Sequence, residues 1–131
     1  QSSPLPLVLA VTILTSMDDT ALRRELKISR SLRREVSHLA ELAQRAGMSG
    51  VVASPQEVTM LRKIIRGRFV VLTPGVRPAW ACKDDQKRVM SPGEAVAAGA
   101  DYLVVGRPVL MSADRRAAVH KIIHEIEQGP E

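Results

Sequence analysis

The chain has 131 residues, 45% hydrophobic and 25% charged, with a formal net charge of +5, the balance of a globular domain long enough to bury a core. Its longest apolar run, Leu5 to Leu14, is broken by Pro6 and Thr12 and falls short of the ~20 residues of a membrane span, and no basic segment precedes it, which argues against a signal peptide. One cysteine, Cys82, excludes an internal disulfide and a Cys-based zinc cluster, and three aromatic residues (Phe69, Trp80 and Tyr102) are too few for a base-stacking platform.

Leu7 to Leu14 is apolar and β-branched and reads as the first strand. Asp18 or Asp19 is placed to cap a helix at about residues 19–27. Arg33 to Ala46 carries Val36, Leu39, Ala40, Ala43 and Ala46 close to the spacing of one helix face, and Gly47 is a natural stop. Gly50 to Ala53 is a short, buried second strand. Ser54-Pro55-Gln56-Glu57 is a capping-box start with Pro at the first helical position; that helix runs to about Arg66 and ends at Gly67. Arg68 to Leu72 is the third strand. The loop from Thr73 to Met90 is long for a compact domain, the usual mark of a functional or disordered segment. Ser91-Pro92-Gly93-Glu94 repeats the capping signature before a helix that ends at Gly99. Asp101 to Val105 is the fourth strand. Its stretch Leu103 to Val105 has no polar residue, as in a strand buried on both faces of a parallel sheet. Ser112-Ala113-Asp114 opens a last helix to Gln128, with Ala118, Ile122 and Ile126 along one face.

Four strand–helix units without hairpin signals predict right-handed crossovers and a parallel α/β sheet, half of a (β/α)8 barrel of TIM type, with residues 1–131 as one domain. A lone half exposes two strand edges and an apolar inner face, so such a chain either dimerises or is half of something larger. A start at Gln1 reads as a trimmed or processed piece.

In a barrel, function gathers at the C-terminal strand ends. Here these hold Thr15-Ser16, Ser54, Thr73-Pro74-Gly75 and Gly106-Arg107, and the long loop adds Arg77, Lys83, Asp84, Asp85, Gln86, Lys87 and Arg88. Gly106 permits close approach to the backbone and Arg107 supplies a planar cation beside a helix start, which points to a phosphorylated ligand. Each group has a plainer reading: Thr15 and Ser16 as helix caps, Ser54 as a cap, Thr73 to Gly75 as a turn, Asp84-Asp85 as a solvated patch. Cys82 reads as a bystander thiol. His120 and His124 are one turn apart but lack a third ligand, so no metal is expected. The cations of the helices, Arg23, Arg24, Arg33, Arg34, Arg62, Lys63, Arg115, Arg116 and Lys121, read mostly as solvated faces. Their scatter argues against a nucleic-acid partner.

Leu9 to Met17, Gly50 to Ser54, Thr73-Pro74-Gly75-Val76-Arg77-Pro78, Asp85-Gln86-Lys87-Arg88-Val89-Met90 and Ala98 to Pro108 together resemble the C-terminal half of orotidine 5′-phosphate decarboxylases, collinearly over nearly all of residues 5–128. The resemblance implies a barrel that converts orotidine 5′-monophosphate (OMP) to uridine 5′-monophosphate (UMP) and carbon dioxide without cofactor or metal. It implies that Gly106 and Arg107 hold the 5′-phosphate and that Gln86 bridges phosphate and pyrimidine. Arg77 belongs to the nucleotide contacts, Thr15 meets the pyrimidine edge, and Pro74 and Val76 lie near its apolar side. It further implies a homodimer, while the single cysteine fits a reducing, cytoplasmic setting.

The family's alternating Lys and Asp array belongs to the N-terminal half, and no Asp-x-Lys-x-x-Asp pattern occurs here. No catalytic residue is therefore expected in this chain, which needs the N-terminal half as a missing segment or second chain. Asp84 stands where the family usually has Gly, and Leu110-Met111 are less polar than usual. The competing readings are a non-catalytic nucleotide- or phosphate-binding half-barrel and a related sugar-phosphate barrel enzyme; Thr15 with Gln86 favours the pyrimidine.

Overall fold

The computed structural model describes residues 5–81 and 90–130. Four strands, β1 (Leu9–Val11), β2 (Gly50–Val52), β3 (Val70–Pro74) and β4 (Tyr102–Val104), form one parallel sheet in the order β1-β2-β3-β4. Between and after them run α1 (Asp19–Glu25), α2 (Leu32–Arg45), a 3-10 turn (Pro55–Glu57) leading into α3 (Val58–Ile64), α4 (Pro92–Ala97), a short α5 (Arg107–Leu110) and α6 (Arg115–Gln128). This is the expected (β/α) half-barrel.

Strand alternation divides the sheet into two faces. Val51, Val71 and Thr73 face the helices and are buried, with Val36, Ala40 and Ala43 of α2, Val58 and Leu61 of α3 and Ala95 of α4 completing the core. On the other face the paired positions Val11–Val52, Val52–Leu72 and Leu72–Tyr102 form one continuous row. That face is open. Val11 is 59% exposed, Tyr102 53% and Val104 47%. The expectation that β4 is buried on both faces is thus corrected: helices cover one side only, and the other is the inner wall of a barrel.

Local chemistry explains most element ends. Asp18 caps α1 by accepting from the Ala21 N–H at 2.8 Å, Asp114 caps α6 by accepting from Ala117 at 2.9 Å, and Ser91 with Glu94 forms the full capping box of α4. Ser54 occupies the expected cap position but its hydroxyl makes no capping bond; the chain enters α3 through the 3-10 turn instead. β3 lies two residues later than expected. Phe69 is drawn into the core, and its carbonyl accepts from Arg62 at 2.7 Å rather than from a strand. α5 has no counterpart among the expected elements. Pro108 at its second position and Gly106 before it make the start of a short helix.

Two helix cations expected to be solvated have structural partners. Lys121 of α6 sits 5.6 Å from the centre of the Trp80 ring. Arg62 of α3 donates to the carbonyls of Gly99 (2.8 Å) and Phe69 and pairs with the Asp101 carboxylate, which also accepts from the Val71 N–H at 2.7 Å. One guanidinium thereby ties α3 to the entries of β3 and β4. Arg62→Met should cost about 2 kcal/mol, read as a shift in urea midpoint, since hydrogen bonds to charged groups contribute ~1.5–3 kcal/mol. Arg62→Lys should recover less than half of that, because an ammonium lacks the planar fork that reaches three acceptors.

Thr73 is fully buried on the helix-facing side, and its hydroxyl has no hydrogen-bond partner among the described residues. A buried, unpaired hydroxyl carries a desolvation cost of ~1–3 kcal/mol. Thr73→Val should therefore raise stability by about 1 kcal/mol in the same titration; a loss of stability would show that the hydroxyl is partnered.

Candidate functional site

The chain leaves β1 through a turn closed by the Met17 N–H to the Leu14 carbonyl at 3.0 Å, which puts Thr15 at the tip, exposed. Because Asp18 supplies the cap of α1, neither Thr15 nor Ser16 is needed for it. β3 ends at Pro74, and Gly75 turns the chain with φ at +77°, a conformation L side chains seldom adopt. A Cβ at Gly75 would lie 3.5 Å from the Thr15 Cγ2 and 3.8 Å from its Oγ1. The turns that follow β1 and β3 therefore meet past the end of β2, which lies between the two strands, and a small cavity of about 50 Å³ opens there, lined by Ile13, Thr15, Met17, Ser54, Gln56 and Gly75.

Pro74 pairs with Val104 in the sheet. Gly106 lies two residues past Val104, one step further along than Gly75 lies past Pro74. Gly106 is the N-cap of α5, with φ −100° and ψ −93°, and a side chain added there would meet nothing within 4 Å. Its backbone is thus open to an incoming group. Arg107, exposed, is the first residue of α5.

The long loop is pinned at its base. Val76 and Met90 form a parallel bridge, and the Arg77 N–H donates to the Met90 carbonyl at 3.1 Å. On the outer side, Glu125 of α6 accepts from the Ala79 N–H at 3.3 Å. Val76 is buried in the core and Arg77 is half-buried beside it. Gln86 and Cys82 to Arg88 lie outside the described residues.

The structure thus sets Thr15, Gly75, Gly106, Arg107 and the stem at Arg77 along one rim of the sheet, at the C-terminal ends of β1, β3 and β4. It removes Thr73 from that set, since the hydroxyl faces the helices. The Thr15–Gly75 approach and the Val76–Met90 bridge were not anticipated from sequence. Gly directly after Thr-Pro is the only local signal for the first; the second joins residues fourteen positions apart and leaves none. Among the described residues no group of three or more His, Cys, Asp or Glu side chains gathers as a metal cage, and His120 and His124 are exposed on α6.

The family model described as "Orotidine 5′-phosphate decarboxylase / HUMPS family" matches residues 2–122. An orotidine 5′-phosphate decarboxylase of Heliobacterium modesticaldum is 48% identical over 124 residues, covering 95% of this chain and 51% of the relative. One of Citrifermentans bemidjiense is 52% identical over 124 residues, covering 95% and 51%. The crystal structure of orotidine 5′-phosphate decarboxylase from Lactobacillus acidophilus superposes with a TM-score of 0.79 at 36% identity, covering 94% of this chain and 50% of that one. The chain spans about half the length of the curated relatives it matches.

Proposed function

The chain belongs to the orotidine 5′-phosphate decarboxylase / HUMPS family, and from that membership we propose that residues 1–131 are a single domain, the C-terminal half of a (β/α)8 barrel that decarboxylates OMP to UMP. The observation that carries the reading is the shared rim: Thr15 against Gly75, with Gly106 and Arg107 two and three residues past Val104, the partner of Pro74.

On this reading the Gly106 N–H and the Arg107 guanidinium bind the 5′-phosphate, the latter by a charge-assisted pair. Thr15 meets the pyrimidine edge, Arg77 contacts the nucleotide from the stem of the long loop, and Gln86 bridges phosphate and base. Breaking the bond to the carboxylate releases carbon dioxide and leaves the electron pair on the ring carbon, where a proton must be delivered. The donor and the carboxylates that act on the substrate belong to the family's N-terminal half. This chain contributes binding. Energy gained at the phosphate, remote from the reacting carbon, offsets the cost of placing the substrate carboxylate in an unfavourable site. The complete protein is a cytoplasmic homodimer and takes no cofactor. No helix among the described residues is long and apolar enough to cross a membrane.

The test is carbon dioxide release from OMP by this chain assembled with an N-terminal half-barrel, beside each half alone. Turnover by the pair only is expected. UMP binding without turnover by the pair would favour a nucleotide-binding module instead, and turnover of a sugar phosphate but not of OMP would favour the related barrel enzyme.

A further inference from the structure

The base of the long loop is held from behind by the last helix. On the outgoing limb, Val76 bridges Met90 and the Arg77 N–H donates to the Met90 carbonyl at 3.1 Å. Pro78 is fully buried, and its carbonyl accepts from the Ala81 N–H at 3.0 Å. On the returning limb, Met90 leads through Ser91 and Pro92 to Gly93 in the first turn of α4. Both limbs meet one residue of α6. The Glu125 carboxylate accepts from the Ala79 N–H, two residues past Arg77, at 3.3 Å. A Cβ at Gly93 would lie 3.0 Å from the Glu125 carbonyl oxygen, so the start of α4 abuts the Glu125 backbone. One turn earlier on α6, Lys121 sits over the Trp80 ring.

We propose that Glu125 is a positioning residue for the nucleotide site: it holds the limb that carries Arg77, and through Arg77 it sets the affinity for the nucleotide. The proposal rests on the decarboxylase reading for the role of Arg77.

Arg77 is bracketed. Met90 holds its own N–H, and Glu125 holds the N–H of Ala79 beyond it. The path Arg77–Met90–Gly93–Glu125–Ala79 closes on itself, so a fault at Glu125 reaches Arg77 from the side that Met90 does not hold. The support is firm, because Ala118 and Ile122 bury α6 in the domain. Stability does not account for the residue. Glu125 Oε1 is buried with no hydrogen-bond partner among the described residues, a cost that one long hydrogen bond does little to offset. What the bond supplies is placement, and a shift of about 1 Å in a binding group can cost on the order of 10²-fold.

In the assembled barrel, Glu125→Met should raise KM for OMP about 5–10-fold with kcat within about twofold, the pattern of lost uniform binding. The Kd of UMP should rise by the same factor, and the urea midpoint should stay or rise. A merely structural role would lower the folded fraction, and so kcat, at unchanged KM. Glu125→Gln keeps an oxygen that accepts from Ala79 and should restore the wild-type KM. In an Arg77→Ala background Glu125→Met should add nothing to the Kd of UMP, since both changes remove one contact. Should Glu125→Met not fold, Lys121→Met on the exposed side carries the test, with a rise in KM of about two- to fivefold, the worth of an exposed cation–π contact. His124→Ala, on the same helix, should change neither constant.

Unchanged KM in the variants, no rescue by Glu125→Gln, or an undiminished effect without Arg77 would each overturn the proposal; with OMP turnover by the wild-type pair, the decarboxylase reading would stand. A wild-type pair that binds UMP without turnover would sink that reading, while an Arg77-dependent shift in the Kd of UMP would still uphold the proposal. A pair that neither turns OMP over nor binds UMP would overturn both.

Discussion

Arg107→Ala in the assembled barrel is expected to lower kcat/KM for OMP by about 10²–10³-fold. Arg107 is the only Arg or Lys at the end of β4, it is exposed on the rim, and it follows the open backbone of Gly106. Removing one partner of a hydrogen-bonded charge pair costs ~2–5 kcal/mol, and each 1.36 kcal/mol is tenfold in rate. The loss should vanish for a substrate that lacks the phosphate: with orotidine, wild type and variant should react alike. Crossing the two changes isolates the arginine–phosphate term from any general damage to the site. UMP binding should weaken by a similar factor. An equal loss with OMP and with orotidine would remove Arg107 from the phosphate site.

Gly50→Ala is expected to destabilise the fold by at least about 3 kcal/mol, the upper end of overpacking effects. Gly50 opens β2 at the centre of the sheet. A Cβ there would lie 2.1 Å from the Val70 carbonyl oxygen and 2.6 Å from the Val70 Cβ. The first is backbone in the neighbouring strand, so no rotamer relieves the contact. Val70 is itself held by its N–H to the Ser49 carbonyl at 3.0 Å. The two strands must move apart or slip, and the whole domain is stable by only ~5–15 kcal/mol. Soluble yield and the urea midpoint are the readouts. Gly67→Ala is the control. Its φ is +79°, but nothing lies within 4 Å, so only the conformational penalty of ~1 kcal/mol applies. If the two variants cost the same, the close approach at Gly50 is not what fixes the strand spacing.

The alternation of strands and helices, the caps at Asp18, Ser91 and Asp114 and the stops at Gly47, Gly67 and Gly99 were legible because each is a local pattern with a local cause. Gly47, Gly67 and Gly99 all have positive φ. The rim was legible for the same reason: Thr15, Gly106 and Arg107 sit where any barrel puts its strand ends. What the sequence does not disclose is contact across units. Thr73 counts as a polar strand-end residue in a linear reading, yet strand parity turns it toward the helices. Arg62 reads as one solvated cation among many, yet three acceptors from later segments converge on it. The bland sequence Leu103 to Val105 gives no sign that one face stays open, because an apolar run reads the same whether one face or both are covered.

The bridge between Val76 and Met90 makes the intervening segment a closed ring hung on the barrel. Its ends are fixed by the sheet and not by its own sequence. The entropy of closing such a ring grows only logarithmically, about 0.6 kcal/mol for each doubling of length. Insertions between residues 80 and 88 should therefore leave the melting transition almost unmoved. Length and composition there are free to drift at little cost to the fold, while the pair that clasps the segment carries the obligation to it.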